Sequence, residues 1–262
     1  MVELETLHKY GEELERRLHL KTFPLAVKLI EKEEDIPEEA QRPVRDWGYH
    51  VPLCQAYATS RREGTLIATL KEDMLCFEPV VGYGMAEPPQ YFLEGHNRFP
   101  QDVESLEVGR NYATDFPRLP VGKYIGVISA PLKAANFKPD LVMMYGDSAQ
   151  ISLLLLAREY KIGYDLKQSL SSHAACVYSV VPVMQTGECR VAVPCRGDHY
   201  DAIAGDEELV FTVPTDKLED LVEGLRYLET TGSKLPRNYK MQREPEFEES
   251  YMKIARMVGM DV

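Results

Sequence analysis

PDLVMMYGDSAQISLLLLAREYKIG, residues 139–163, is the stretch whose reading decides the fold. Its first part is an unbroken apolar run of strand length, entered through Pro139 and left through Gly146, and reads as a buried strand. Asp147 or Ser148 then offers a side-chain oxygen to the free N–H groups of a helix start, and Gly163 ends the helix. A strand feeding a capped helix is the building unit of α/β architecture. Working outward, Lys123–Leu132 (KYIGVISAPL), Pro24–Ile30 (PLAVKLI) and EELVFTVP before Thr215 read as further strands. Leu4, Leu7, Leu14 and Leu18 share one face of a helix over 3–19, and Leu218, Leu221, Val222 and Leu225 one face of a helix that starts near Thr215. Residues 32–50 read as a loop, and residues 88–116 show weak helical patterning. The tail from Arg237 is polar and acidic, with an amphipathic piece near Met252–Met257 suited to docking on the body or on a partner subunit.

Two segments repeat one local grammar. Cys54 opens CQAYATSRREG, which stops at Gly64; the apolar TLIATL follows, and then Cys76. Cys176 opens CVYSVVPVMQTG, which stops at Gly187; RVAV follows, and then Cys195. Each unit reads as thiol, helical turns, glycine stop, strand, second thiol. The expected fold is therefore α/β (or α+β), a mixed sheet with flanking helices. No low-complexity linker divides residues 1–262, which read as one domain. Within it stand two related lobes, about 20–130 and 131–235, each contributing one unit, followed by a tail over 236–262.

The net charge of −12 argues against nucleic acid, whose phosphates would repel the chain, and against an anionic membrane surface. The charged, amphipathic N-terminus does not look like a secretory signal, and the longest aliphatic run, Ile151–Ala157, is too short to span a bilayer. The expected compartment is the cytoplasm, where five cysteines stay free, metal-bound or catalytic.

Two such units packed face to face would gather four sulfurs, a ligand set for a metal or an iron–sulfur cluster. The chain has no C-x-x-C pair, which disfavours structural zinc, and inert buried thiols are the competing reading. Cys189 falls outside the pattern and reads as a non-ligand. Cys195 has the densest surroundings, CRGDH: Arg196 beside it is expected to lower its pKa, and Gly197 permits a tight turn with N–H groups aimed at sulfur or an anion. Asp198 pairs with Arg196 or caps the turn. His173, three residues before Cys176, is a fourth-ligand or outer-shell candidate. Cys195 with His173 or His199 could instead run nucleophilic chemistry without metal. Gly82 and Gly84 lack the third glycine of a dinucleotide fingerprint.

PLAVKLI, CQAYATSRREGTLIATLKEDMLCFEPVVGYG, PDLVMMYGDSAQ and CVYSVVPVMQTGECRVAVPCRGDHYDAIAGDEELVFTVP, in that order over most of residues 20–235, resemble the family known as domain of unknown function 169, from anaerobic bacteria and archaea. The resemblance implies cysteines at Cys54, Cys76, Cys176 and Cys195 but not at Cys189, and it strengthens the case for a cofactor on those four. The family's last cysteine usually opens C-x-G-x-Arg; here His199 stands at the arginine position.

The leading expectation is an iron–sulfur protein, with a [4Fe–4S] cluster rather than zinc, Cys54, Cys76, Cys176 and Cys195 as ligands, and Arg196, Gly197 and His173 around the cofactor. It would serve electron transfer or cluster-dependent catalysis, with a redox partner protein or a small-molecule ligand, and the chain could form a homo-oligomer. The alternatives are a thiol enzyme using Cys195 and a module binding a small anion or cofactor.

Overall fold

The computed structural model describes residues 2–236 and 247–261, so part of the polar tail, residues 237–246, lies outside the described residues. The chain runs α1 (Leu4–Leu18), β1 (Leu25–Ile30), α2 (Leu53–Glu63), β2 (Ile67–Leu70), α3 (Phe77–Gly82), α4 (Gln90–Leu93), α5 (Leu106–Asp115), β3 (Gly126–Pro131), β4 (Leu141–Gly146) and α6 (Ser148–Ile162). It continues through α7 (Ala175–Tyr178), α8 (Val181–Thr186), β5 (Arg190–Ala192), α9 (Arg196–Tyr200), β6 (Leu209–Pro214), α10 (Leu218–Thr230) and α11 (Glu249–Met257). The β4–α6 unit forms as its residues dictate. Asp147 accepts hydrogen bonds from the N–H groups of Ala149 (2.9 Å) and Gln150 (3.0 Å), the Gln150 Oε1 accepts one from the Asp147 N–H (2.7 Å), and Gly163 closes the helix at φ +66°.

Six strands make one sheet in the order β2-β3-β1-β4-β6-β5, with helices on both faces. Pairing between these strands is antiparallel throughout, and among the described residues parallel geometry occurs only in two isolated bridges, Gln41 to Ile67 and Val51 to Met74. The architecture is thus α+β. A strand followed by a capped helix is compatible with either class, because the direction of the next strand is set by which sheet edge the chain returns to. The strands read as continuous apolar runs because helices cover both faces. Leu25, Val27 and Leu29 point into one core; Ala26 and Ile30 point into the other. On that second face pack α1, α6 and α10, with Cys189 among them. The first face carries α2, α3, α7 and α8.

The two halves contribute strands in the same sequence: first strand innermost, third beside it, second at the edge. Leu25 at the start of β1 faces Pro131 at the end of β3, and Leu141 at the start of β4 faces Pro214 at the end of β6. Ile67 opening β2 faces Ser129, and Arg190 opening β5 faces Thr212. Each of those prolines leads into a short 3-10 turn, Leu132–Ala134 and Thr215–Lys217. The glycine stops also correspond, Gly64 at φ +80° after α2 and Gly187 at φ +65° after α8. The halves meet at β1 and β4, so they share one sheet.

Helices of the first cysteine unit cross onto those of the second: α2 packs on α9, and α3 on α7. Gly82 in α3 makes the latter contact possible, since a Cβ there would stand 2.6 Å from a Val177 methyl. We expect Gly82→Ala to destabilise the chain by about 1–3 kcal/mol in urea unfolding, with an unchanged midpoint as the contrary result. The amphipathic piece of the tail forms α11, which buries Ala255 and leaves Ile254 and Met257 exposed.

Candidate functional site: a cavity lined by four cysteines

All five cysteines are free. Four of them, Cys54, Cys76, Cys176 and Cys195, line a single cavity of about 500 Å³; Cys189 does not. Their backbone settings match in pairs. Cys54 and Cys176 are the second residues of α2 and α7, while Cys76 and Cys195 sit immediately before the first residues of α3 and α9. The α2–α9 and α3–α7 contacts then carry each thiol across to one from the other half. Gly197 marks one junction: a methyl built there would lie 3.4 Å from Cys54 Sγ and 3.7 Å from Cys195 Sγ. Arg196, Gly197 and His173 line the same cavity. Among the described residues, however, no three or more His, Cys, Asp or Glu side chains converge in a group fit to hold a metal ion.

The electrostatics around sulfur differ from the sequence expectation. Arg196 was to lower the Cys195 pKa, yet its guanidinium lies over the Tyr200 ring, 5.4 Å from the centroid. The near charge is Asp198, fully buried, which turns back to accept the Cys195 N–H and its thiol, both at 3.1 Å. Asp198 also accepts the Tyr145 hydroxyl at 3.1 Å. Its role is therefore the capping one, with Asp198 bonding back to the residue before α9. Burial first, then the Asp198 charge, push Cys195 up to about 11, against N–H groups of Ala175 and Asp198 that pull it down. Burial also raises Cys54, with Asp198 adding to it, and raises Cys76, whose thiol donates to Glu78 at 2.6 Å. Cys176 stands well above its ordinary range through burial and through the neighbouring Cys76, Cys54 and Cys195. A thiol so placed stays protonated unless a cation arrives, and a coordinating cation deprotonates it outright.

A stability prediction follows for the metal-free protein. An unfolded thiol ionises near its ordinary value of 9.0, whereas folded Cys195 keeps its proton to about 11. Between the two the folded state binds the extra proton. Stability is therefore complete below the first value and falls with rising pH by up to about 1.4 kcal/mol per pH unit for this thiol. Urea unfolding across that range should show the fall, shallower in Cys195→Ser; identical slopes would contradict the burial described.

His173 is held differently from a ligand. Arg98 donates to its Nε2, and burial together with the Arg98 charge lowers its pKa, so it is neutral with the proton on Nδ1. His199 bonds through Nδ1 to the Ala204 carbonyl at 3.0 Å and does not line the cavity. Sequence reading missed the rest of the polar lining: Glu78, Asn97, Arg98, Gln101, Asp102, Ser172 and Asp201. Only Glu78 and Asp201 carried a signal, standing close in sequence to Cys76 and Cys195; Asn97 and Arg98 reach the cavity from the weakly patterned segment after α4.

The family model of domain of unknown function 169, described as "Uncharacterised ArCR", matches residues 13–224, and the chain belongs to that family. The chain is also similar to the uncharacterized protein MJ0308 of Methanocaldococcus jannaschii, at 24% identity over 206 residues, covering 78% of this chain and 86% of the relative. No solved structure matches it. Among the described residues, no helix is long and apolar enough to cross a membrane.

Proposed function

We propose that this chain is an iron–sulfur protein whose cluster is held by Cys54, Cys76, Cys176 and Cys195. The observation behind it is that four cysteines from separate stretches of the chain line one cavity while the fifth packs on the opposite face of the sheet. The donor set suits a cluster better than one ion. Around a single zinc at about 2.3 Å the four sulfurs would stand within about 4 Å of one another, whereas a [4Fe–4S] cluster binds each thiolate to a different iron and tolerates a wider ring. Once bound, the cluster would supply one-electron redox chemistry or a Lewis-acidic iron.

The chain's own residues do the rest. The four cysteines sit at helix starts, and at Cys195 the N–H groups of Ala175 and Asp198 face the sulfur and favour the negative charge that a thiolate brings. Asp198 fixes the Cys195 side chain through its bond to the backbone, and Tyr145 fixes Asp198. A reducing, cytoplasmic setting keeps all five thiols free, and an electron-transfer role would dock a partner protein at the mouth, where Leu75 is 70% exposed. The matching strand registers and paired cysteine settings support reading the halves as related lobes, with the cluster where they interlock. The metal-free nucleophile finds less support, since the carboxylate beside Cys195 stabilises its thiol and the His173 Nε2 is already taken by Arg98. The test is anaerobic purification with iron and acid-labile sulfide analysis and electron paramagnetic resonance before and after reduction. Protein purified in this way without iron or sulfide would end the proposal.

A further inference from the structure

The cavity is larger than its cysteines need. At roughly 30 Å³ per water, its 500 Å³ would hold many solvent molecules, and the volume lies in the range of small-molecule sites. Away from the sulfurs the lining is polar: Asn97, Arg98, Gln101, Ser172 and His173. Two of these are poised for a ligand. Both amide atoms of Asn97, Nδ2 and Oδ1, are buried and have no hydrogen-bond partner, an arrangement costly to leave unmet. Arg98 is buried, with its guanidinium 4.8 Å from the centre of the Tyr112 ring, one nitrogen on Asp102 at 3.2 Å and another on His173. A guanidinium has five N–H donors, and those contacts leave some free. Of the cavity's carboxylates, Asp102 is bound to Arg98 itself, and Glu78 lies on the sulfur side, beside Cys76. Asp201 lies on the sulfur side, beside Gly197.

We infer that Arg98 and Asn97 form a subsite for the carboxylate group of a small organic acid, held in the same cavity as the four thiols. Arg98 supplies charge and N–H donors, the Asn97 amide a further donor, and the Asn97 carbonyl an acceptor for a hydroxyl or a second, protonated oxygen. The inference deepens the cluster reading by naming the substrate class, and its test does not depend on iron.

The experiment is anaerobic calorimetric titration of the full chain with acetate, succinate and citrate, with iron measured in the same samples. At least one probe should bind saturably. Arg98→Gln should weaken it about tenfold or more, and Asn97→Ala about threefold or more, both with unaltered iron content. If Arg98→Gln fails to fold by circular dichroism, Asn97→Ala decides, because its amide makes no hydrogen bond whose loss would harm the fold. Iron-loaded protein that binds none of the three probes, or binds them equally in the folded variants, overturns the subsite and leaves the cluster standing. Iron-free protein that binds a probe through Arg98 and Asn97 supports the subsite and removes the cluster.

Discussion

Serine at any one of Cys54, Cys76, Cys176 or Cys195 should remove most of the iron and visible absorbance from anaerobically purified protein, while Cys189→Ser retains both. The contrast rests on position. The four line one cavity, whereas Cys189 is packed among α1, α6 and α10 across the sheet. A hydroxyl is a poorer ligand for iron than a thiolate, and a cluster of about four irons depends on all four attachments. The measurement is iron and sulfide per chain, with thermal unfolding to show that each variant is folded. Iron retained in all four single variants would mean that the sulfurs do not share a cofactor. Equal loss in Cys189→Ser would mean that iron content tracks general stability.

Arg61→Met should lower stability by about 3–5 kcal/mol, a large fraction of what a domain of this kind possesses. Arg61 is among the largest fully buried side chains, 1% exposed. It pairs with Glu208 through both terminal nitrogens at 3.3 Å, donates to the Thr22 hydroxyl at 3.1 Å, and lies 4.0 Å from the centre of the Tyr145 ring. Removing it leaves the Glu208 carboxylate buried without its charge partner. Replacing both, Arg61→Met with Glu208→Leu, should recover part of the loss; recovery is incomplete because Glu208 also accepts the Gly205 N–H at 3.0 Å. The effect reaches the cysteines too, since Tyr145 cushions Arg61 and holds Asp198. Iron content should therefore fall in the single variant as well as stability. An unfolding midpoint equal to that of the parent chain would show that the buried pair contributes nothing net.

Much of the secondary structure was legible because it is written locally. Leu7, Leu14 and Leu18 stack on one helical face, Asp147 and Gly163 bracket α6, and Gly64 and Gly187 end α2 and α8 wherever the rest of the chain goes. The segment after Cys176 was legible only in outline. It reads as one helical run but breaks into α7 and α8, with Pro182 near the start of the second. The cysteine spacing was legible as well, because a repeated unit is visible along the chain without any knowledge of where its ends meet.

The ionisation of Cys195 was not legible, because the neighbour in sequence is not the neighbour in space. Arg196 extends over Tyr200, and Asp198 folds back onto the thiol. Nor was the polar part of the cavity. Asn97 and Arg98 sit in a stretch with no strong pattern, and what distinguishes them is burial, which the fold confers.

Taken alone, the amino-acid order determined most helix and strand positions, the repeated pattern that sets four cysteines apart from Cys189, and the absence of any apolar run able to span a bilayer. Tertiary structure alone decided that the strands pair antiparallel as β2-β3-β1-β4-β6-β5, that α2 meets α9 and α3 meets α7, and that the cavity carries a polar region besides its sulfurs. The division has a physical cause. Caps, glycine stops and apolar periodicity act over a few residues, whereas strand direction, burial and the charge felt by a thiol are sums over atoms that only folding brings near.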